Sequence, residues 1–136
     1  MLMPLARANS RWIRAVGFGI LAEVVTAITI ILVVAIHSVV TGGQLVDQTS
    51  RFSYLTGAVV GVLGGAFFTY LFSRWCGRYL LKNFVAHGLV IAGAAILIHV
   101  VSSLLSPQGY DFLHGVADLL KLAGGAAGGW QASQHV

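Results

Sequence analysis

Six ionisable residues of this chain fall where their chemistry would operate away from water. Glu23 stands inside the apolar run "GILAEVVTAI", Asp118 and Lys121 stand in "VADLLKLAGG", and His37, His99 and His114 complete the set. Ionisable groups within such runs are costly, so they face a bundle interior, pair with one another, or mark a proton or ligand path. A carboxyl group whose pKa is raised by burial can release its proton when a solute binds. Two histidines at one depth on facing helices, such as His37 and His99, can ligate a haem. His37, His99, His114 and Asp111 are also metal-capable side chains, although no local ligand motif joins them.

Helical geometry groups these residues. Positions on one helix face recur at i, i+3, i+4 and i+7. Asp111, His114, Asp118 and Lys121 follow steps of 3, 4 and 3 and form one stripe, which Gly125, Gly129 and Ala132 continue. Gly19, Glu23, Thr26, Ala27 and His37 share a second face, and Gly88, Ala92, Ala95, His99, Ser102 and Ser103 a third. Counting depth at about 1.5 Å per residue puts Glu23 and Lys121 at one level, with Asp118 about a turn further out. His37, His99 and His114 fall together at a second level. The structural reading is a buried Glu23–Asp118–Lys121 network and hydrogen-bonded histidines. The functional readings are a proton relay through the same three residues, or haem or chlorin ligation.

Two resemblances bear on these readings. "GILAEVV" resembles the first helix of the small multidrug resistance transporters, four-helix proteins of similar size with an essential acid at the position of Glu23. The resemblance covers fewer than ten residues. The third span lacks that family's Tyr-Ala-x-Trp-x-Gly signature, the chain is longer, and Lys121 has no counterpart. Ala95-x-x-x-His99 is similar to the chlorin-binding spacing of bacterial light-harvesting peptides, a two-residue pattern.

The elements that must position these side chains follow from composition. The chain has 136 residues, is 57% hydrophobic and only 9% charged, and its mean hydropathy is +0.87, too apolar for a soluble domain of this size. The expectation is an all-α integral membrane protein, a single domain of four transmembrane helices over about 15–40, 54–72, 84–105 and 110–130. Arg7, Arg11 and Arg14 precede the first span, which is too long for a signal peptide core. Arg74, Arg78 and Lys82 fall on the same side after two crossings, so the positive-inside rule expects both termini in the cytoplasm of a multi-pass protein, as in a bacterial inner membrane. The net charge of +4 comes from these flanks and carries no nucleic-acid signal. The single cysteine, Cys76, excludes an intrachain disulfide.

Glycines supply the last pattern. Gly57, Gly61 and Gly65 repeat every fourth residue, as do the pairs Gly124/Gly128 and Gly125/Gly129. Missing side chains at this spacing let another helix backbone approach closely. Residues 64 to 74 align with 124 to 134 at an offset of 60, the mark of a duplicated helical hairpin. No nucleophile elbow, phosphate loop or HExxH motif is present. The leading expectation is therefore a small non-catalytic membrane protein, with the lipid bilayer as its surroundings. Its glycine faces would pack it into a homo-oligomer or a larger membrane complex, and no cofactor is expected. The alternatives are a proton-coupled transporter and a haem- or pigment-binding subunit.

Overall fold

Residues 5 to 40 contain no proline, and in a computed structural model they form part of one helix, α1, over Met3–Val40. Pro4 sits in its first turn, where a missing N–H leaves no intrahelical bond unmade. The helix thus begins twelve residues ahead of Ala15, the start expected from hydropathy, and carries Arg11 and Arg14 on the same rod. The structure describes residues 3–42, 51–80, 82–107 and 109–134, excluding the side chains of 3–10.

The second helix, α2, runs over Arg51–Gly77 and contains one π-helical turn at Val60–Gly64. Asn83, at a left-handed φ of 59° that asparagine tolerates, leads into α3, Phe84–Leu105. Ser106 then turns extended, as the residue before a proline prefers, and α3 stops there. The fourth helix, α4, is Phe112–Ser133. Its N-cap is Asp111, whose carboxylate accepts the backbone N–H of His114. Among the described residues there are four helices and no strand.

α1, α2 and α3 are long and apolar enough to cross a membrane, over Arg11–Val40, Arg51–Gly77 and Phe84–Leu105. Even the shortest, at 22 residues, extends about 33 Å, against a hydrocarbon core of about 30 Å. α4 matches α3 in length but falls short in apolarity, because it carries Asp118, Lys121 and a glycine-rich second half.

The interior is small and polar while the exterior is apolar. Ala15, Ala22, Ala92, Ala95, Thr26, Thr69 and Ser73 are buried, whereas Ile31, Leu63, Leu97, Leu104 and Leu105 are exposed. Side chains of this size on the inside let backbones come together. A Cβ on Gly124 would meet the backbone of Ala66 and Tyr70, and one on Gly128 that of Tyr70 and Arg74. On the other side of α4, Gly125 lies against Gly88 and Ala92, and Gly129 against Phe84 and Val85. α4 is therefore wedged between α2 and α3 along its whole second half. The two segments that align at an offset of 60 lie against each other here, where the Tyr70 hydroxyl also donates to Gln131.

Candidate functional site

Lys121 is the largest kind of side chain one would expect at a surface, yet it is 1% exposed, as deep as Ile91 and Thr69. The α4 stripe explains how it gets there. Ala117, Asp118, Lys121, Gly125, Gly128, Gly129 and Ala132 are all buried, so the face that wedges between the other helices takes Lys121 inward with it. Gly65 of α2 makes room for the aliphatic stem, since a Cβ there would lie 2.8 Å from Lys121 Cε.

A buried ammonium needs an anion at hydrogen-bonding distance to offset its lost hydration. Lys121 Nζ donates to Glu23 Oε2 on α1 at 2.7 Å. Asp118 Oδ1, one turn earlier on α4, lies 3.8 Å from the same nitrogen, too far for a hydrogen bond but close enough to add Coulomb attraction. Asp118 is itself held from elsewhere. His99 Nδ1 of α3 contacts Oδ1 at 2.6 Å, and the Tyr110 hydroxyl donates to Oδ2 at 2.7 Å. Three helices and the linker before α4 are thus tied into one network, and its innermost pair is Glu23–Lys121.

The second polar level continues from His99. Its ring stacks on His114 with centroids 5.2 Å apart, and His114 Nδ1 contacts Asp111 Oδ1 at 2.7 Å. Carboxylates only accept, so both histidines carry a proton on Nδ1 in these contacts. With that proton in place, the 3.3 Å approach of the Asp111 backbone N–H to the same His114 nitrogen is not a hydrogen bond. Asp111 lies in the linker outside the helices, and its hydrogen bonds from the His114 ring and backbone hold its carboxyl below the usual range.

Beside this network lies a cavity of about 360 Å³. Glu23, Thr26 and Ile30 line it from α1, and Gly57, Ala58, Gly61 and Val62 from α2. His99 and Ser102 line it from α3, while Asp111, His114 and Ala117 close it from the linker and α4. Asp118 and Lys121 stand behind this wall. Glu23 is therefore the one member of the buried ion pair that reaches the cavity.

The residues expected from sequence distribute unevenly around this site. Glu23, Asp118, Lys121, His99 and His114 come together. His37 does not join the cavity wall. Its ring stacks on Phe52 at 3.6 Å, and the histidine that meets His99 is His114. Among the described residues, no group of three or more His, Cys, Asp or Glu is arranged to hold a metal ion. Gly57 and Gly61 depart from the expected packing face. A Cβ on either would meet nothing within 4 Å, because both border the cavity, and only Gly65 of that series touches α4. The π turn at Val60–Gly64 includes Gly61 and ends just before Gly65. It breaks the i, i+4 register, so glycines four apart no longer share a neighbour.

Tyr110 joins the network and Thr26 and Ser102 the cavity wall, three positions that the charged residues and histidines alone did not signal. Tyr110 reaches Asp118 from a non-helical linker, where no helical spacing applies. Thr26 lay on the Glu23 face and Ser102 on the His99 face, so the signal for these two was present in the periodicity. Compared with models of protein families, with curated proteins and with solved structures, the chain matches none.

Proposed function

We propose that this protein is a small proton-coupled membrane carrier that holds a polar solute in the cavity and exchanges it against a proton at Glu23. The observation that carries the reading is that Glu23, bonded to buried Lys121, is also part of the cavity wall. When Lys121 turns to Asp118, Glu23 can take up a proton in its place, and a solute entering the cavity displaces that proton from the same carboxylate, so occupancy and protonation of Glu23 are coupled through one group. Asp118 provides the alternative partner for Lys121, already within 3.8 Å. In this reading α4 is a fourth span and the end of the bundle bearing Arg11, Arg14, Arg74 and Arg78 faces the cytoplasm. Support for a fourth span comes from the burial of Lys121 against α1 and of the α4 glycines against α2 and α3.

The competing reading, a non-catalytic subunit that packs through glycine faces, rests on glycines that have neighbours within the chain or border its cavity. Gly124, Gly125, Gly128 and Gly129 meet helices of the same chain, and Gly57 and Gly61 line the cavity. Their spacing therefore calls for no second subunit. The deciding experiment is proton release from purified protein in proteoliposomes on addition of candidate solutes. Wild type should release protons for at least one solute, and Glu23→Gln and the cavity-filling Gly61→Leu should not. Release that persists in both variants would sink the carrier reading.

A further inference from the structure

We propose that the cavity takes a small organic cation with N–H donors, a protonated primary amine, seated with its ammonium on Glu23. The proposal rests on the carrier reading only for there being a solute at all, and it is carried by the acceptors around Glu23 together with the charge of the wall. Thr26 Oγ1 gives its proton to the Ala22 carbonyl at 2.8 Å, and Ser102 Oγ gives its proton to the His99 carbonyl at 2.9 Å. With its proton so engaged, the oxygen of each of these lining residues is left as an acceptor. His99 donates through Nδ1 to Asp118, so in its neutral form the ring leaves Nε2 as an acceptor. Glu23 adds a carboxylate whose Oε2 alone is engaged by Lys121.

Charge points the same way. Among the described residues, the wall contains two carboxylates, Glu23 and Asp111, and no lysine or arginine. Lys121 stands behind Glu23, and Arg51, exposed at the start of α2, is outside the wall. This holds in a chain whose net charge is +4. An anion would face two carboxylates with no lysine or arginine in the wall to receive it. The size argues against a bare ion. A volume of about 360 Å³ is at the lower end for small-molecule sites, about 300–1,000 Å³. Ile30, Ala58, Val62 and Ala117 give it an apolar side for a hydrocarbon tail.

The test is calorimetric titration of the full chain in nanodiscs, against empty nanodiscs, with n-butylammonium, butyrate, n-butanol and tetramethylammonium. Saturable binding is expected for n-butylammonium above the other three, and none for it in Gly61→Leu, whose side chain fills the open wall. Glu23→Gln should weaken it roughly 10- to 100-fold, as loss of a hydrogen bond to a charged group does. Should that variant not fold, Thr26→Val and Ser102→Ala leave the ion pairs untouched and should each weaken binding several-fold. Equal binding of butyrate or n-butanol, or no saturable binding of n-butylammonium, overturns the proposal. Equal binding of tetramethylammonium, which has no N–H, overturns it as well. Proton release in proteoliposomes separates this outcome from the carrier reading. Release on butyrate alone would keep the carrier and remove the cation, while amine binding without release would do the reverse.

Discussion

At the scale of single residues, the Glu23–Lys121 pair joins structure to chemistry. Its burial makes each partner dependent on the other, because removing one leaves an uncompensated charge in a poorly solvated place. Lys121→Met should therefore destabilise the protein by about 3–5 kcal/mol. The double variant Lys121→Met with Glu23→Gln should recover most of that loss, since neither charge remains. Denaturant unfolding in detergent reads both, and a double variant no better than the single would mean that the stranded Glu23 charge is not the cause of the loss. Tyr110→Phe removes a hydrogen bond to the Asp118 carboxylate without touching the Glu23–Lys121 pair, and should cost about 1.5–3 kcal/mol in the same assay. Asp111 responds to pH with a definite sign. Its folded pKa is depressed by His114, so its contribution to the N-terminus of α4 is complete above the ordinary aspartate range and is lost as pH falls through the folded value. Amide exchange at His114 and Gly115, compared across that window, would reveal it. An Asp111→Ala variant should have lost the dependence.

At the scale of helices, the glycines separate into two populations with opposite expected behaviour. Gly129 has Val85 Cα only 2.9 Å from where its Cβ would stand, and a backbone atom cannot give way as a side-chain tip can. Gly125→Ala and Gly129→Ala should each cost about 1–3 kcal/mol by forcing α3 and α4 apart. Gly57→Ala and Gly61→Ala meet open space. There the better helix propensity of alanine should leave stability unchanged or raised by up to about 1 kcal/mol. Thermal unfolding of the four variants in one detergent decides it, and a uniform loss across all four would contradict the division. The π turn of α2 lies where the populations meet: Gly57 before it and Gly61 within it border the cavity, and Gly65 just after it meets α4.

For the whole molecule, the distribution of apolar surface is the governing fact. The interior is built mostly of Ala, Gly, Ser and Thr plus one ion network, with Ile91, Leu80 and Phe72 among its few large members, and most of the long aliphatic side chains point outward. That arrangement suits a surrounding of hydrocarbon, where helices gain by close backbone approach rather than by hiding large apolar groups from water. Leu97, 66% exposed near the middle of α3, tests it directly. Leu97→Arg should raise the cost of membrane insertion by about 2.5–3.5 kcal/mol, measured as the inserted fraction in a glycosylation-mapping assay. Insertion indifferent to that change would mean this face of α3 does not meet lipid.

How much of this was legible in the residues differs with the kind of information required. The helical class, the three apolar rods and the buried stripe Asp118–Lys121–Gly125–Gly129 follow from composition and a period of 3.6, which depend only on neighbours along the chain. The level shared by Glu23 and Lys121 followed from counting rise per residue, because straight helices convert sequence position into depth. Periodicity names a face but not what the face meets. Gly57, Gly61 and Gly65 look equivalent in sequence, yet a single π turn hands two to a cavity and one to Lys121. His37 and His114 sit at similar counted depth, yet only His114 stacks on His99, because rotation about each helix axis is settled by packing. A cavity belongs to no element at all. It is the space left where α1, α2, α3 and α4 fail to touch, so only the tertiary arrangement could decide that Glu23, rather than Asp118 or Lys121, borders it.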